Sequence, residues 1–403
     1  MAAFPLLWIL NGCGMESGSI TGGPVRFHEI SRRWLCREGG ERQQVMTTAG
    51  GAGMLRRMGC TLPLIHVPAA LLANREWFRM QRFWSYCLSA LGGRHAARRL
   101  PPCGTVITVS DYFCDIVPAL LLKRRHPDCR WIAWIHHREL PPAERPGNRL
   151  VNTLTWKMQE WSLRRIADRA DAAWVYDTEA GDLVKARLLA FGMSPERIRI
   201  MQCGINVAAI AEAPEPGKTV DAAMVGVRPN KGLHDILPVW EEVLRLRPGT
   251  TLQLMGGISG SAPVLAEIER RGLGKLIRAF RHPGGVLPQA DYYRKLKDAR
   301  ILFAPSHEEG WGMAVCEAMA AGLPVAAYDL PVYRRIYGDA FAAVPCFDAA
   351  AFAKVIVRLL DFPETFAHYR EAGRSTAAQY DWDAIAAADA AALEFDNAGG
   401  ISV

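Results

Sequence analysis

The feature that most limits what this chain can fold into is an alternation that runs through it twice. Short β-rich apolar runs, each entering a polar turn, are followed by longer stretches with helical spacing. Strands are expected at 5–10, 42–48, 62–67, 106–110, 130–136, 172–176 and 198–202. The stretch 208–219, with its paired prolines, breaks the pattern. It then restarts with strands at 221–225, 251–255, 277–281, 300–304 and 324–328, and helices close the chain at 349–360, 363–379 and from about Trp382. Strands spaced by helices cannot pair through tight turns, so they build parallel sheets covered by helices on both faces. A chain of 403 residues exceeds what one hydrophobic core usually supports. The expectation is therefore α/β: two doubly wound Rossmann-like domains with an interdomain cleft. The boundaries read as 1–207, a linker at 208–219, 220–380, and a helix at 381–403 that crosses back to the first domain. Ligands of such sheets bind outside the carboxyl ends of the strands, which makes the turns there the places to search.

Composition removes several alternatives. With 22% charged residues and half the chain hydrophobic, the usage is that of a globular protein. The ten cysteines include no C-x-x-C pair and the ten histidines no H-E-x-x-H spacing, so reduced thiols, no metal site and no cofactor are expected. No apolar run approaches the ~18 residues of a membrane span. The apolar opening lacks a basic start and a small-residue cleavage site, so it reads as a first strand and the protein as cytoplasmic. Charge is unevenly spread. Residues 1–200 hold 28 Lys/Arg against 17 Asp/Glu, a net of +11, while the remainder is at −4. The first half is therefore expected to meet something anionic. No stacking-aromatic signature or other recognition motif supports nucleic acid, which leaves an anionic acceptor or peripheral contact with an anionic membrane. For the latter, residues 75–99 read as a helix with Trp77, Met80, Phe83, Trp84, Leu88 and Leu91 on one side and Arg75, Arg79 and Arg82 on another. The same stripe suits core packing.

The richest segment runs Ala304-Pro-Ser-His-Glu-Glu-Gly-Trp-Gly-Met-Ala-Val-Cys-Glu-Ala-Met-Ala-Ala-Gly-Leu-Pro-Val325 from the end of an expected strand into a helix. A turn at Gly310, Trp311 and Gly312 before Met313 and Ala314 presents backbone N–H groups at a helix start, a ready anion site. Glu309 on the loop is placed to accept hydrogen bonds from sugar hydroxyls, and Glu317 within the helix to clasp a vicinal diol such as a ribose. Taken alone, Glu308 and Glu309 are also readable as charges favoured at a helix N-terminus.

The segment resembles the E-x7-E signature of retaining glycosyltransferases of the GT-B fold, most closely glycosyltransferase family 4. The resemblance implies recognition of the donor sugar by Glu309 and of the ribose by Glu317. A second likeness lies in Met224-Val-Gly-Val-Arg-Pro-Asn-Lys-Gly232, similar to that family's "vGR…KG" segment. It implies that Arg228 and Lys231 meet the charge developing on a departing diphosphate, for which a planar fork and a compact ammonium are suited. Three further points fit the same plan. Gly22 or Gly23 falls in a Gly-rich loop that approaches the donor phosphates. His136 or His137, at a strand end, falls where the family often carries a histidine beside the donor sugar. Gly285 and Val286 fall where the backbone meets the nucleotide base. The closing Tyr380-Asp-Trp-Asp-Ala384 resembles the family's "sW" opening of a last helix. The implied activity is metal-independent transfer of a hexosyl group, with retention, from a nucleotide-sugar donor to a glycan, lipid-linked or small-molecule acceptor. A sugar-nucleotide epimerase of the same fold and an inactive binding protein are the competing readings.

Overall fold

The computed structural model describes residues 6–12, 22–37, 42–68, 81–139, 141–144, 148–256, 261–280 and 288–397. The chain divides into two compact units, Met1–Gln202 with Ala386–Val403, and Cys203–Ile385.

The first unit is built on a seven-stranded sheet. Its strands are β1 (Leu6–Leu10), β2 (Gln43–Thr47), β3 (Leu64–His66), β4 (Thr105–Thr108), β5 (Arg130–Ile135), β6 (Ala172–Tyr176) and β7 (Ile198–Met201). They lie in the order β3-β2-β1-β4-β5-β6-β7, and every neighbour pair is parallel. The central strands are buried on both faces, with Trp8, Trp131, Trp134 and Trp174 sealed from solvent, which is why they read as unbroken apolar runs. The order reverses between β1 and β4, so the turns leaving those strands flank the switch point. The helix residues from Ala386 onward are fastened to this unit through Ala386 and Asp389. Fully buried Arg26 pairs with Asp389 at 2.5 Å and lies 4.1 Å from the Trp134 ring centre. Trp34 Nε1 donates to Ala386 O at 2.9 Å.

The second unit holds a six-stranded sheet. Its strands are β8 (Val220–Val225), β9 (Leu252–Met255), β10 (Ile277–Ala279), β11 (Ala299–Ala304), β12 (Val325–Tyr328) and β13 (Ala342–Val344). The order is β10-β9-β8-β11-β12-β13, again parallel throughout. Its switch point falls between β8 and β11. The turns leaving those two strands are the ones that carry Lys231 and Glu309.

Two local expectations change. Residues 208–219, read as a linker, share a helix at Val207–Glu212 that Lys297 ties to the second unit by donating to Ala211 O at 3.2 Å and Ala213 O at 2.7 Å. The basic amphipathic helix begins at Gln81, and Arg75, Arg79, Trp77 and Met80 lie outside the described residues. Its inward face is not the large-residue stripe. Tyr86, Ser89, Ala90, Gly93 and Ala97 are buried, whereas Trp84 is 49% and Leu91 62% exposed. Small side chains let this helix pack closely on the helix Phe113–Arg125, where Tyr86 and Ala90 meet Cys114. No helix among the described residues is long and apolar enough to cross a membrane.

Candidate active site

In the second unit the turn after β8 is shaped by two glycines in the left-handed region, Gly226 (φ 82°) and Gly232 (φ 79°). A Cβ on Gly232 would stand 2.1 Å from Pro305 O, so glycine alone lets this turn lie against the one leaving β11. Between them a single tight turn, Pro229–Lys231, aims Lys231 across the gap. Its ammonium is paired with Glu309 Oε1, both side chains being largely buried at 14% and 10% exposure. Ser306 Oγ donates to the same oxygen at 2.9 Å and Tyr333 OH at 3.1 Å. Burial and the Glu309 charge push the Tyr333 hydroxyl well above its ordinary pKa, which keeps it a donor. Arg228 Nε is buried and has no hydrogen-bond partner among the described residues. Together these groups give the turn a surplus of donors for an anion.

The helix Met313–Ala320 starts at Gly312, whose φ is 90°. A Cβ there would reach 2.7 Å from Tyr333 Cε1. Tyr337 OH donates to the carbonyls of Trp311 and Gly312 at 3.2 and 2.9 Å. The Trp311 ring is buried edge-on against Tyr337 and Tyr380, so what it offers a ligand is backbone. Gly310, Met313 and Ala314 complete the helix start, where the first amides lack intrahelical partners. Further along, Glu317 Oε2 accepts from Tyr292 OH at 2.8 Å, and Oε1 lies 3.5 Å from Tyr293 OH. Gly285 and Val286 lie outside the described residues.

The first unit carries the remaining candidates. Gly22 and Gly23 open the helix Gly22–Trp34. A Cβ on Gly23 would stand 2.9 Å from His136 Nε2, so the histidine ring rests directly on this glycine. His136 Nε2 is 2.6 Å from Val109 O and Nδ1 is 3.1 Å from Tyr176 OH. A carbonyl can only accept, so Nε2 carries the proton and Nδ1 accepts from the tyrosine. Burial, with a smaller push from Arg26, lowers the His136 pKa to about 3 and keeps the ring neutral. His137 is the more open of the two at 39% exposure, its Nε2 standing 3.3 Å from Glu139 Oε1. Beside them, Asp115 accepts from Asn11 N at 2.6 Å, Gly12 N at 3.2 Å and Ser110 Oγ at 2.5 Å, pinning the turn that leaves β1. Burial outweighs those bonds and raises its pKa to about 7. Ser306, Tyr333, Tyr292, Tyr176 and Asp115 were not singled out from sequence. The adjacent tyrosines of the helix Gln289–Lys297 were the only local signal for Tyr292.

The profile of the family described as "Glycosyl transferases group 1" matches residues 207–376, which contain Lys231, Glu309 and Glu317. The second part of the chain, residues 207–376, is thus similar to that family. Among curated relatives it is 30% identical to D-inositol 3-phosphate glycosyltransferase of Streptomyces scabiei over 256 residues, 57% of this chain and 54% of that protein. The chain thus spans about half the length of the curated relatives it matches. Sucrose-phosphate synthase from Thermosynechococcus elongatus shares the architecture, with a TM-score of 0.72 over 98% of this chain and all of that one at 16% identity. Anabaena HepE in complex with UDP-glucose does so with a TM-score of 0.68, at 13% identity over 97% and 99% of the two chains. The fold is therefore GT-B, two Rossmann-like domains of parallel strands.

Proposed function

We propose that this protein is a retaining, metal-independent hexosyltransferase that takes a sugar from a nucleoside diphosphate donor and gives it to an anionic acceptor. The observation that carries the reading is the pairing of Lys231 with Glu309 just ahead of the helix Met313–Ala320, with the buried Nε of Arg228, from the same turn as Lys231, unpartnered among the described residues. Breaking the anomeric bond leaves negative charge on the departing diphosphate. Fixed cations and helix-start amides stabilise that charge without a metal. Glu309, held by Ser306 and Tyr333, presents an acceptor oxygen for sugar hydroxyls. Glu317 does the same for a ribose. In a same-face displacement the acceptor oxygen forms the new bond as the sugar–phosphate bond breaks, and its proton passes to the leaving diphosphate, so no dedicated base is required.

The anionic acceptor rests on the +11 balance of residues 1–200 and agrees with the name of the Streptomyces relative, a D-inositol 3-phosphate glycosyltransferase. The deciding experiment incubates the full chain with labelled UDP-, GDP- and ADP-hexoses, with and without sugar phosphates. Acceptor-dependent release of nucleoside diphosphate, with an α-linked product from an α-linked donor, is expected. Conversion of donor without any acceptor would replace this reading by the epimerase.

A further inference from the structure

His307 lies two residues before Glu309 and has no role in the chemistry above, yet it makes two connections across the site. Its backbone N–H donates to Asn230 O at 3.0 Å, the residue before Lys231. Its imidazole Nε2 stands 2.5 Å from Asp235 Oδ2, on the segment that leads from Gly232 into the helix Ile236–Leu246. The other Asp235 oxygen accepts from Tyr328 OH at 2.8 Å, at the end of β12. An ionised carboxylate can only accept, so His307 Nε2 is the donor. The ring is closed in by Phe347, 4.8 Å away and edge-on, with Tyr328 behind at 6.1 Å. Phe347 is the one non-glycine residue with positive φ among those described, at 65°.

We propose that His307 is a positioning residue for the donor site: it stitches the turn bearing Lys231 to the turn bearing Glu309 and so sets the geometry of that pair. The inference rests on the transferase reading for its kinetic consequence, though not for its structural one. Among the described residues the two turns also meet where Gly232 lies on Pro305 and where Lys231 pairs with Glu309. The His307–Asp235 bond is the side-chain link that holds their spacing when Lys231 exchanges its carboxylate partner for a phosphate. Misplacement by about 1 Å is enough to cost on the order of 10² in rate.

The test uses three full-length variants. His307→Ala removes the ring and keeps the backbone bond to Asn230. His307→Gln keeps an N–H donor at the distance of Nε2. Asp235→Asn removes the negative charge and leaves the fold's bulk in place. The first readout needs no activity: the Lys231 side-chain resonance in lysine-labelled protein, assigned with Lys231→Arg. It should move in His307→Ala and in Asp235→Asn, and return towards wild type in His307→Gln. The second readout is nucleoside diphosphate release from the donor that wild type uses. There kcat should fall about 10²-fold in His307→Ala with KM changed far less, and recover at least tenfold in His307→Gln. A Lys231 resonance unmoved by His307→Ala overturns the proposal whatever the activity. A moved resonance in a protein that consumes no nucleotide sugar leaves the stitch standing and removes the transferase reading.

Discussion

Lys231 and Glu309 come from turns 78 residues apart and are held to each other, ammonium to carboxylate, at the switch point of the second sheet. The resemblance gives them different parts of one donor: the cation to the diphosphate, the anion to the sugar. On the proposed reading, a diphosphate bound here would compete with Glu309 for the ammonium, and the lysine would stand beside the bond that breaks. Lys231→Ala should lower turnover by about 10² to 10³, the usual loss when one preorganised charge-stabilising donor is removed. Lys231→Arg should recover only part of it, since a guanidinium fork does not occupy the place of a compact ammonium. Steady-state kinetics with excess EDTA completes the test. Unchanged rates are expected, and restoration by magnesium or manganese of an EDTA-stopped reaction would refute a clamp made of protein cations alone.

The two carboxylates should separate by mutation. Glu309→Gln removes a sugar contact and frees Lys231, so transfer should be lost while nucleoside diphosphate binds at least as tightly as to wild type. Glu317→Ala removes a ribose contact and leaves Tyr292 OH without its acceptor, so diphosphate binding should weaken, by about tenfold for one lost hydrogen bond to a charged group. Titration calorimetry with UDP, GDP and ADP reads both. Equal loss of nucleotide affinity in the two variants would defeat this division.

His136 supplies a pH dependence of known sign. Its folded pKa, about 3, lies below the ordinary 6.5 because burial penalises the charged ring. Between those values the unfolded chain binds a proton that the folded one does not. The histidine therefore costs nothing above pH 6.5 and erodes stability as pH falls towards 3, by at most about 1.4 kcal/mol per pH unit. His136→Gln cannot titrate. Its denaturation midpoint should lie below that of wild type at pH 7, and the gap should close on acidification to pH 4.5. A gap that stays constant would show that His136 is protonated in the folded protein.

What the sequence made legible follows from what periodicity can carry. Parallel strands such as Ala172–Tyr176 are apolar on both faces and need no partner to be recognised, so most of both sheets was readable. Within 220–345 two pieces were missed, β13 and the helix Pro331–Tyr337, because three and seven residues are too few to show a period. In the first unit the helices Ala49–Arg57, Phe113–Arg125, Arg149–Arg169 and Glu179–Ala190 were not located individually. In the helix Gln81–Ala97 the assumption that large side chains face inward failed, since Ser89, Ala90 and Gly93 do so instead. At the site, the charged residues Lys231, Glu309 and Glu317 were visible through local motifs. Their hydroxyl partners were not. Tyr333 lies 24 residues from Glu309 and Tyr292 25 residues from Glu317, distances over which only the fold brings residues together.

The glycines of the Gly310-Trp311-Gly312 turn permit a comparison within a single motif. Gly312 stands at φ 90°, and a Cβ there would fall 2.7 Å from the Tyr333 ring. Gly310 has no such φ, and a Cβ on it would meet nothing within 4 Å. Gly312→Ala should therefore suffer twice, from left-handed strain of about 1–3 kcal/mol and from displacement of Tyr333. Since Tyr333 OH donates to Glu309, the damage should also reach the Lys231–Glu309 pair. Gly310→Ala should stay within about 0.5 kcal/mol of wild type, as substitutions in open space do. Thermal unfolding should thus drop several degrees for Gly312→Ala and hardly move for Gly310→Ala. Tyr333→Phe distinguishes the two causes. It keeps the ring and removes the hydroxyl, so it should lower turnover without the stability loss of Gly312→Ala. If Gly310→Ala proves as destabilising as Gly312→Ala, the left-handed start of the helix Met313–Ala320 is not what the motif's second glycine provides.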